Sequence, residues 1–175
     1  MKKTFLFTFA ILAFAACQTA PTPTPEIPAQ KVKKTMEKMT AAEVTKKFNI
    51  DVEPSLTFSG YYQVLVNAQN QETLDGNFEF ESTQQMADLP ENEVYNFQKE
   101  KYTGAYVNGQ KDGIFKMEAE AWEAGGVATI TFNKGQCIES TYKGGAEAIC
   151  VEFKGKLPNC TFAAIFENTK EVECN

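Results

Sequence analysis

Two glycine-ended pairs, Asn108-Gly109 and Asp112-Gly113, constrain this 175-residue chain more than any other feature. They sit inside the stretch Tyr102–Glu120, which reads YTGAYVNGQKDGIFKMEAE. Asn-Gly and Asp-Gly are the favoured two-residue hairpin turns, because both central positions of a type I′ turn need φ > 0. Tyr102, Tyr106 and Phe115 flank the pairs, within short segments that alternate apolar and polar residues as half-buried strands do. A chain with such turns between such segments is committed to antiparallel hairpins. Asp75 also stands directly before a glycine, so Asp75 and Asp112 read as turn formers and not as a pair of acid–base carboxylates.

The rest of the chain extends the pattern. Leu56–Ser59, Tyr61–Val66 and Asn77–Glu81 read as strands, with a polar turn at 67–73 and Leu74-Asp75-Gly76 leading into the last of them. Residues 84–92 contain Pro90 and read as a loop, after which Val94–Gln98 begins another strand pair. Downstream, Phe132-Asn133-Lys134-Gly135, Tyr142-Lys143-Gly144 and Phe153-Lys154-Gly155 place an aromatic before a lysine-glycine turn at intervals of 10 and 11 residues. That rhythm is the rhythm of a meander. Cys160–Phe166 and Thr169–Cys174 read as closing strands, and the single tryptophan, Trp122, as a core residue over the sheet.

Helical patterning is confined to residues 31–50. Val32, Met36 and Met39 fall on one face, and Thr40-Ala41-Ala42-Glu43 has the form of a capping box that restarts a helix over Ala41–Phe48. The expected fold is therefore mainly β, an antiparallel meander of hairpins with a short N-terminal helical segment packed on it. An extended sheet, a small sandwich and a half-barrel all satisfy the pattern over residues 51–175.

The run Tyr102-x-Gly104-x-Tyr106-x-Asn108-Gly109-x-x-Asp112-Gly113-x-Phe115 resembles a MORN repeat in its variant form. The resemblance implies a strand, an Asn-Gly turn and a glycine-led return strand, with aromatics in the core. Echoes lie on both sides. Thr131–Gln136 resembles Ala105–Gln110 at a separation of 26, and Leu74–Phe78 repeats Lys111–Phe115 at a separation of 37. The likeness spans Phe78–Gly145. Some MORN-variant proteins are antitoxin-like and act in the cytoplasm, which makes that one alternative function.

The other end of the chain speaks of location. Lys2 and Lys3 precede an apolar run of 10 residues, Phe5–Phe14, and the stretch ends Ala15-Ala16-Cys17. About 20 apolar residues are needed to span a bilayer, so this run suits a signal peptide instead. Small residues directly before a cysteine resemble the lipobox of bacterial lipoproteins. The resemblance implies cleavage after residue 16, lipidation of Cys17 and attachment of the mature chain to a membrane. In lipoproteins of enteric bacteria an Asp after the cysteine favours inner-membrane retention, so with Gln18 there the resemblance implies the outer membrane of the cell envelope. Residues 17–30, with four prolines between Thr19 and Gln30, form a polyproline-type tether of up to about 3.1 Å per residue.

Composition narrows the chemistry. The sequence has no histidine and no arginine, and all 17 of its basic residues are lysine. Ser-His-Asp and Cys-His nucleophilic sites, His-ligated zinc and bidentate Arg clamps are thereby excluded. Without Lys2 and Lys3 the chain carries 15 lysines against 23 acids, a formal charge of −8, which disfavours nucleic acid. Cys137, Cys150, Cys160 and Cys174 crowd the last 39 residues. Their spacings do not suit a Cys₄ zinc site, so two disulfides are expected, in one of three connectivities. Pairing of adjacent hairpins favours Cys137 with Cys150 and Cys160 with Cys174. No cofactor, metal or catalytic residue is expected. The reading is a non-catalytic envelope lipoprotein whose β surface meets a protein, lipid or envelope-polymer partner. A carboxylate-only glycan-acting enzyme is the other alternative, with Glu120 and Glu123 or Glu139 as its acids.

Overall fold

A computed structural model describes residues 28–82, 99–120, 124–146 and 149–173. The leader with Cys17, most of the tether, the 84–92 loop, Val94–Gln98, Trp122, Glu123 and Cys174 lie outside the described residues.

The described residues form one nine-stranded antiparallel sheet whose spatial order is its sequence order. The strands are β1 (Gln30–Thr40), β2 (Thr57–Val66), β3 (Glu72–Ser82), β4 (Lys99–Val107), β5 (Gln110–Glu120), β6 (Ala124–Asn133), β7 (Gln136–Ala146), β8 (Ile149–Gly155) and β9 (Lys170–Val172). Two helices interrupt them, α1 (Ala41–Phe48) between β1 and β2 and α2 (Phe162–Glu167) between β8 and β9. The mainly-β meander expected from the turn spacing is the fold adopted, as a single sheet and not as a two-sheet sandwich.

Both helices belong to excursions that leave the sheet and return beside their starting point. Thr40, the last residue of β1, pairs with Thr57, the first of β2, so residues 41–56 leave and rejoin the sheet at one place. Residues 156–169 leave after Gly155 at the end of β8 and rejoin at Lys170, which pairs with Glu152 three residues back. The two excursions cover one face of the sheet. Phe58, Tyr62, Phe78, Phe80, Tyr102, Tyr106 and Phe115 point into that face and are buried, meeting Val44, Phe48, Ile50 and Leu56 from the first excursion and Leu157, Phe162 and Ile165 from the second. Phe48 lies against the rings of Tyr62, Phe78 and Phe80 at centroid distances of 5.5, 5.7 and 5.3 Å. Each such ring contributes about 1.5–3 kcal/mol by burial.

Close packing of the rings needs glycine at one point. A Cβ on Gly104 would stand 2.7 Å from Cε1 of Phe78 and 3.0 Å from Phe115, so the two rings occupy the space a side chain would take.

Four expectations need correction. Residues 31–40 are strand β1, not helix. The helix-like spacing of Val32, Met36 and Met39 comes from alternation interrupted by a bulge: Met36 pairs with Gly60 and Met39 with Phe58, and Lys38 between them has φ 47°. One extra residue turns an i+2 step into i+3, which mimics a helical face. The capping box at Thr40 and the helix Ala41–Phe48 are as expected, with the Glu43 carboxylate accepting from the Thr40 amide at 2.8 Å.

The second correction concerns the Asp-Gly pairs. Asn108-Gly109 and Lys134-Gly135 close hairpins, all four residues at positive φ. Asp75-Gly76 and Asp112-Gly113 lie inside β3 and β5, where positive φ at the glycine serves a bulge. Asp75–Asn77 face Gln63 alone, and Gly113–Phe115 face Gly104 alone. The aspartates are then free to hold the next hairpin's turn. Asp75 Oδ1 accepts from the Asn108 amide and Asp112 Oδ1 from the Lys134 amide, each at 3.0 Å. The carbonyls just before them accept as well, Leu74 from Gly109 and Lys111 from Gly135, both at 2.8 Å. The 37-residue echo between Leu74–Phe78 and Lys111–Phe115 is a repeated clamp.

Third, Tyr142-Lys143-Gly144 is not a turn; it continues β7, and the Tyr142 ring covers Gly126 and Gly144. Fourth, Cys160–Phe166 is not a strand. Thr161 caps α2 by accepting from the Ala164 amide at 3.2 Å, and the segment turns over the sheet instead of joining it.

Candidate functional site

Strand parity decides which side chains enter the covered face. In β4, Glu100 shares that face with Tyr102 and Tyr106 and is buried among apolar residues. The Tyr102 hydroxyl donates to Glu100 Oε2 at 2.8 Å, and the Glu100 amide donates to Ser82 Oγ at 2.8 Å. Burial drives the Tyr102 phenol far above its ordinary pKa, the Glu100 charge and hydrogen bond push the same way, and the charges of Asp51 and Glu53 add to them.

Glu100 and Tyr102 line a cleft of about 530 Å³ between the sheet and the two excursions. Its apolar part includes Met117, Ala119, Phe162 and Phe166; its acids are Asp51, Glu53 and Glu100. Asp51 also joins the two excursions. Its Oδ1 accepts from the Phe162 amide at 3.0 Å and its Oδ2 from the Ala163 amide at 2.6 Å, closing the start of α2. Glu53 Oε1 accepts from the Ser55 hydroxyl at 3.1 Å.

On the far side of α2 a second cavity, of about 510 Å³, is lined by Asn49, Lys111, Phe132, Cys160 and Thr161 among others. Lys111 donates from Nζ to the Asn49 carbonyl at 2.5 Å and lies 5.0 Å from the centre of the Phe132 ring. Burial lowers the pKa of its ammonium, and the Asp51 charge opposes that shift.

The opposite face of the sheet is uncovered by any described element. It carries a ladder of ion pairs across the strands: Lys99–Glu81 at 3.1 Å, Lys101–Glu79 at 3.0 Å, Lys143–Glu152 at 3.4 Å and Lys154–Glu139 at 3.6 Å. Val107, Ile114 and Ile138 are exposed near the hairpin turns.

The residues singled out from sequence fall in different places. Cys137 and Cys160 are bonded to each other, with Cα atoms 6.2 Å apart. That replaces the expected Cys137–Cys150 pairing, and with it Cys160–Cys174. The register shows why. Cys150 pairs with Gly145 beside the β7–β8 turn, whereas Cys137 opens β7 at the other end of the hairpin, near where the chain emerges from β8. Cys150 is itself in a disulfide. Glu120 and Glu139 are not brought together. Glu120 pairs with Gly125, whereas Glu139 pairs with Thr131, six residues further along β6. Six residues of strand span about 20 Å, well beyond the 5–9.5 Å of glycosidase acids. Asp51, Glu53 and Glu100 were missed. The alternation Glu100, Tyr102, Tyr106 puts Glu100 on the buried side and was the available signal; nothing local marks Asp51.

Among the described residues no helix is long and apolar enough to cross a membrane, and no group of three or more His, Cys, Asp or Glu is placed to hold a metal ion. Compared with known protein families, with curated proteins and with solved structures, the chain has no match.

Proposed function

We propose that the chain is an envelope lipoprotein, anchored through lipidated Cys17 and acting without catalysis by presenting its sheet to a protein, lipid or envelope-polymer partner. The observation that carries the presenting role is the division of the sheet: two excursions cover one face, and no described element covers the other. The open face combines paired charges with exposed Val107, Ile114 and Ile138, a mixture suited to contact with a surface. The leader, the cysteine and the proline-rich tether support the anchor. The resemblance of Tyr102–Phe115 to a MORN repeat supports a repetitive hairpin surface. The anchor is tested by palmitate labelling of the full chain in a Gram-negative host, with the outer and inner membranes then separated. Label in the outer-membrane fraction, lost in Cys17→Ala, is the expected result; label retained in Cys17→Ala removes the anchor.

A second reading rests on the acidic cleft. Glu53 and Glu100 flank an apolar hollow beside Tyr102, the kind of setting a carboxylate-only glycan-acting enzyme uses. Release of reducing ends from envelope glycan by the purified chain, abolished in Glu100→Gln, would establish it. Absence of release from the wild-type chain would leave the non-catalytic reading standing.

A further inference from the structure

The cavities on either side of α2 share one wall. Ala163 lines both, with Phe162 and Phe166 facing the acidic cleft and Cys160 and Thr161 facing the cavity of Lys111. The segment forming that wall, residues 156–169, contains a helix of six residues. A helix of that length has no stability of its own, so its place depends on what ties it down. The non-covalent ties are few: buried Leu157, Phe162 and Ile165, the two amides held by Asp51, and edge-on ring contacts of Phe162 with Tyr102 at 5.6 Å and Phe166 with Tyr142 at 5.1 Å. Cys160 and Ala164 also pack against the core, and the covalent tie described for this segment is the disulfide. It fixes Cys160, directly before the cap of α2, to Cys137 at the start of β7.

We propose that residues 156–169 form a redox-governed strap, held across the sheet by the Cys137–Cys160 disulfide and released locally when that bond is reduced. The sulfur–sulfur bond breaks as Cys137 and Cys160 take up two electrons and two protons to become thiols, and a dithiol donor is oxidised to its own disulfide. Release leaves the nine-stranded sheet intact. It opens the wall between the two cavities and uncovers the aromatic face at Tyr102. The inference is independent of the lipid anchor and of any partner.

The test is amide hydrogen exchange on the full mature chain, residue by residue. The variant Cys137→Ser with Cys160→Ser removes this bond alone and leaves the disulfide of Cys150 in place. Protection of the Phe162 and Ala163 amides should fall at least about ten-fold, while that of the Tyr102 and Met117 amides stays within a factor of about two. Dithiothreitol added to the wild-type chain, to the point where mass spectrometry shows Cys137 and Cys160 reduced, should reproduce the same local loss and covers the case in which the variant does not fold. Unchanged protection at Phe162 and Ala163 once the bond is gone overturns the strap. So does an equal loss at Tyr102 and Met117, which would make the bond a staple for the whole sheet.

Discussion

The two excursions that cover the sheet are alike in topology and unlike in what holds them. The first, residues 41–56, buries Ala41, Val44, Phe48, Ile50 and Leu56, and its helix begins in a full capping box and ends in a left-handed Asn49. It is also tied to the hairpins beneath, because the Tyr106 hydroxyl donates to the Phe48 carbonyl and Lys111 donates to the Asn49 carbonyl. The second, residues 156–169, buries Leu157, Phe162 and Ile165 and adds a covalent bond. Over segments of similar length the second buries three apolar side chains against five in the first, so more of its hold falls to the covalent bond. The sheet beneath differs in the same direction. β2 to β5 supply the interlocked rings, whereas β8 has no fully buried residue and β9 is wholly exposed. Where the core thins, cross-links and clasps take over.

The contrast can be broken at its strongest point by Phe48→Ala. Phe48 is 1 % exposed and touches three rings, so the change should cost about 3–5 kcal/mol, read as a fall in the urea midpoint at unchanged slope. Removing the Cys137–Cys160 bond, which ties down one segment and not the sheet, should move the same midpoint far less than Phe48→Ala does. If the disulfide variant proves more damaging than Phe48→Ala, the assignment of burial to one excursion and covalency to the other is wrong. Thr40→Ala removes the capping box of α1 and should cost about 0.5–2 kcal/mol, with helical ellipticity as a second readout. At the bottom of the scale, a double-mutant cycle on Lys101 and Glu79, an exposed pair on the open face, should return about 0–1 kcal/mol.

A pH prediction sharpens the comparison from the hairpin side. The Asn108 amide, and then Lys31, hold the Asp75 carboxyl below its ordinary pKa. A carboxyl whose folded pKa is depressed contributes stability that is complete above its unfolded value of about 3.9 and is lost as pH falls through the folded one. Urea midpoints of Asp75→Asn should therefore lie below those of the wild-type chain at pH 6 and converge with them on acidification. A gap that stays constant down to pH 2 would show that the carboxylate charge plays no part in the clamp.

Much of the sheet was legible because its signals are local. Asn108-Gly109 specifies a turn by the backbone angles it tolerates, and Thr40 with Glu43 specifies a helix start by mutual hydrogen bonding. What was misread depended on partners distant in sequence. The bulge at Lys38 has meaning only against β2, and without β2 the spacing of Val32, Met36 and Met39 imitates a helix. Asp112 has the local look of a turn residue; its donor, the Lys134 amide, lies 22 residues on. The disulfide follows hairpin register rather than sequence proximity, and Cys160–Phe166 reads as strand in isolation because the start of α2 at Phe162 is held by Asp51, 111 residues earlier. The acidic cleft was half legible: Glu100 by parity, Asp51 and Glu53 not at all.

The two aspartate clamps share a direction. In both, the acceptor precedes in sequence the turn it grips, Asp75 before Asn108 and Asp112 before Lys134. A chain growing from its N-terminus thus lays down each grip before the loop that needs it, and each finished hairpin becomes the template on which the next one sets. Shortening from the C-terminal side would leave the earlier grip with its loop, whereas shortening from the N-terminal side past Asp75, and then past Asp112, would strip the turns at Asn108 and Lys134 of their grips. The meander is polar in the order of its making as well as in the order of its strands.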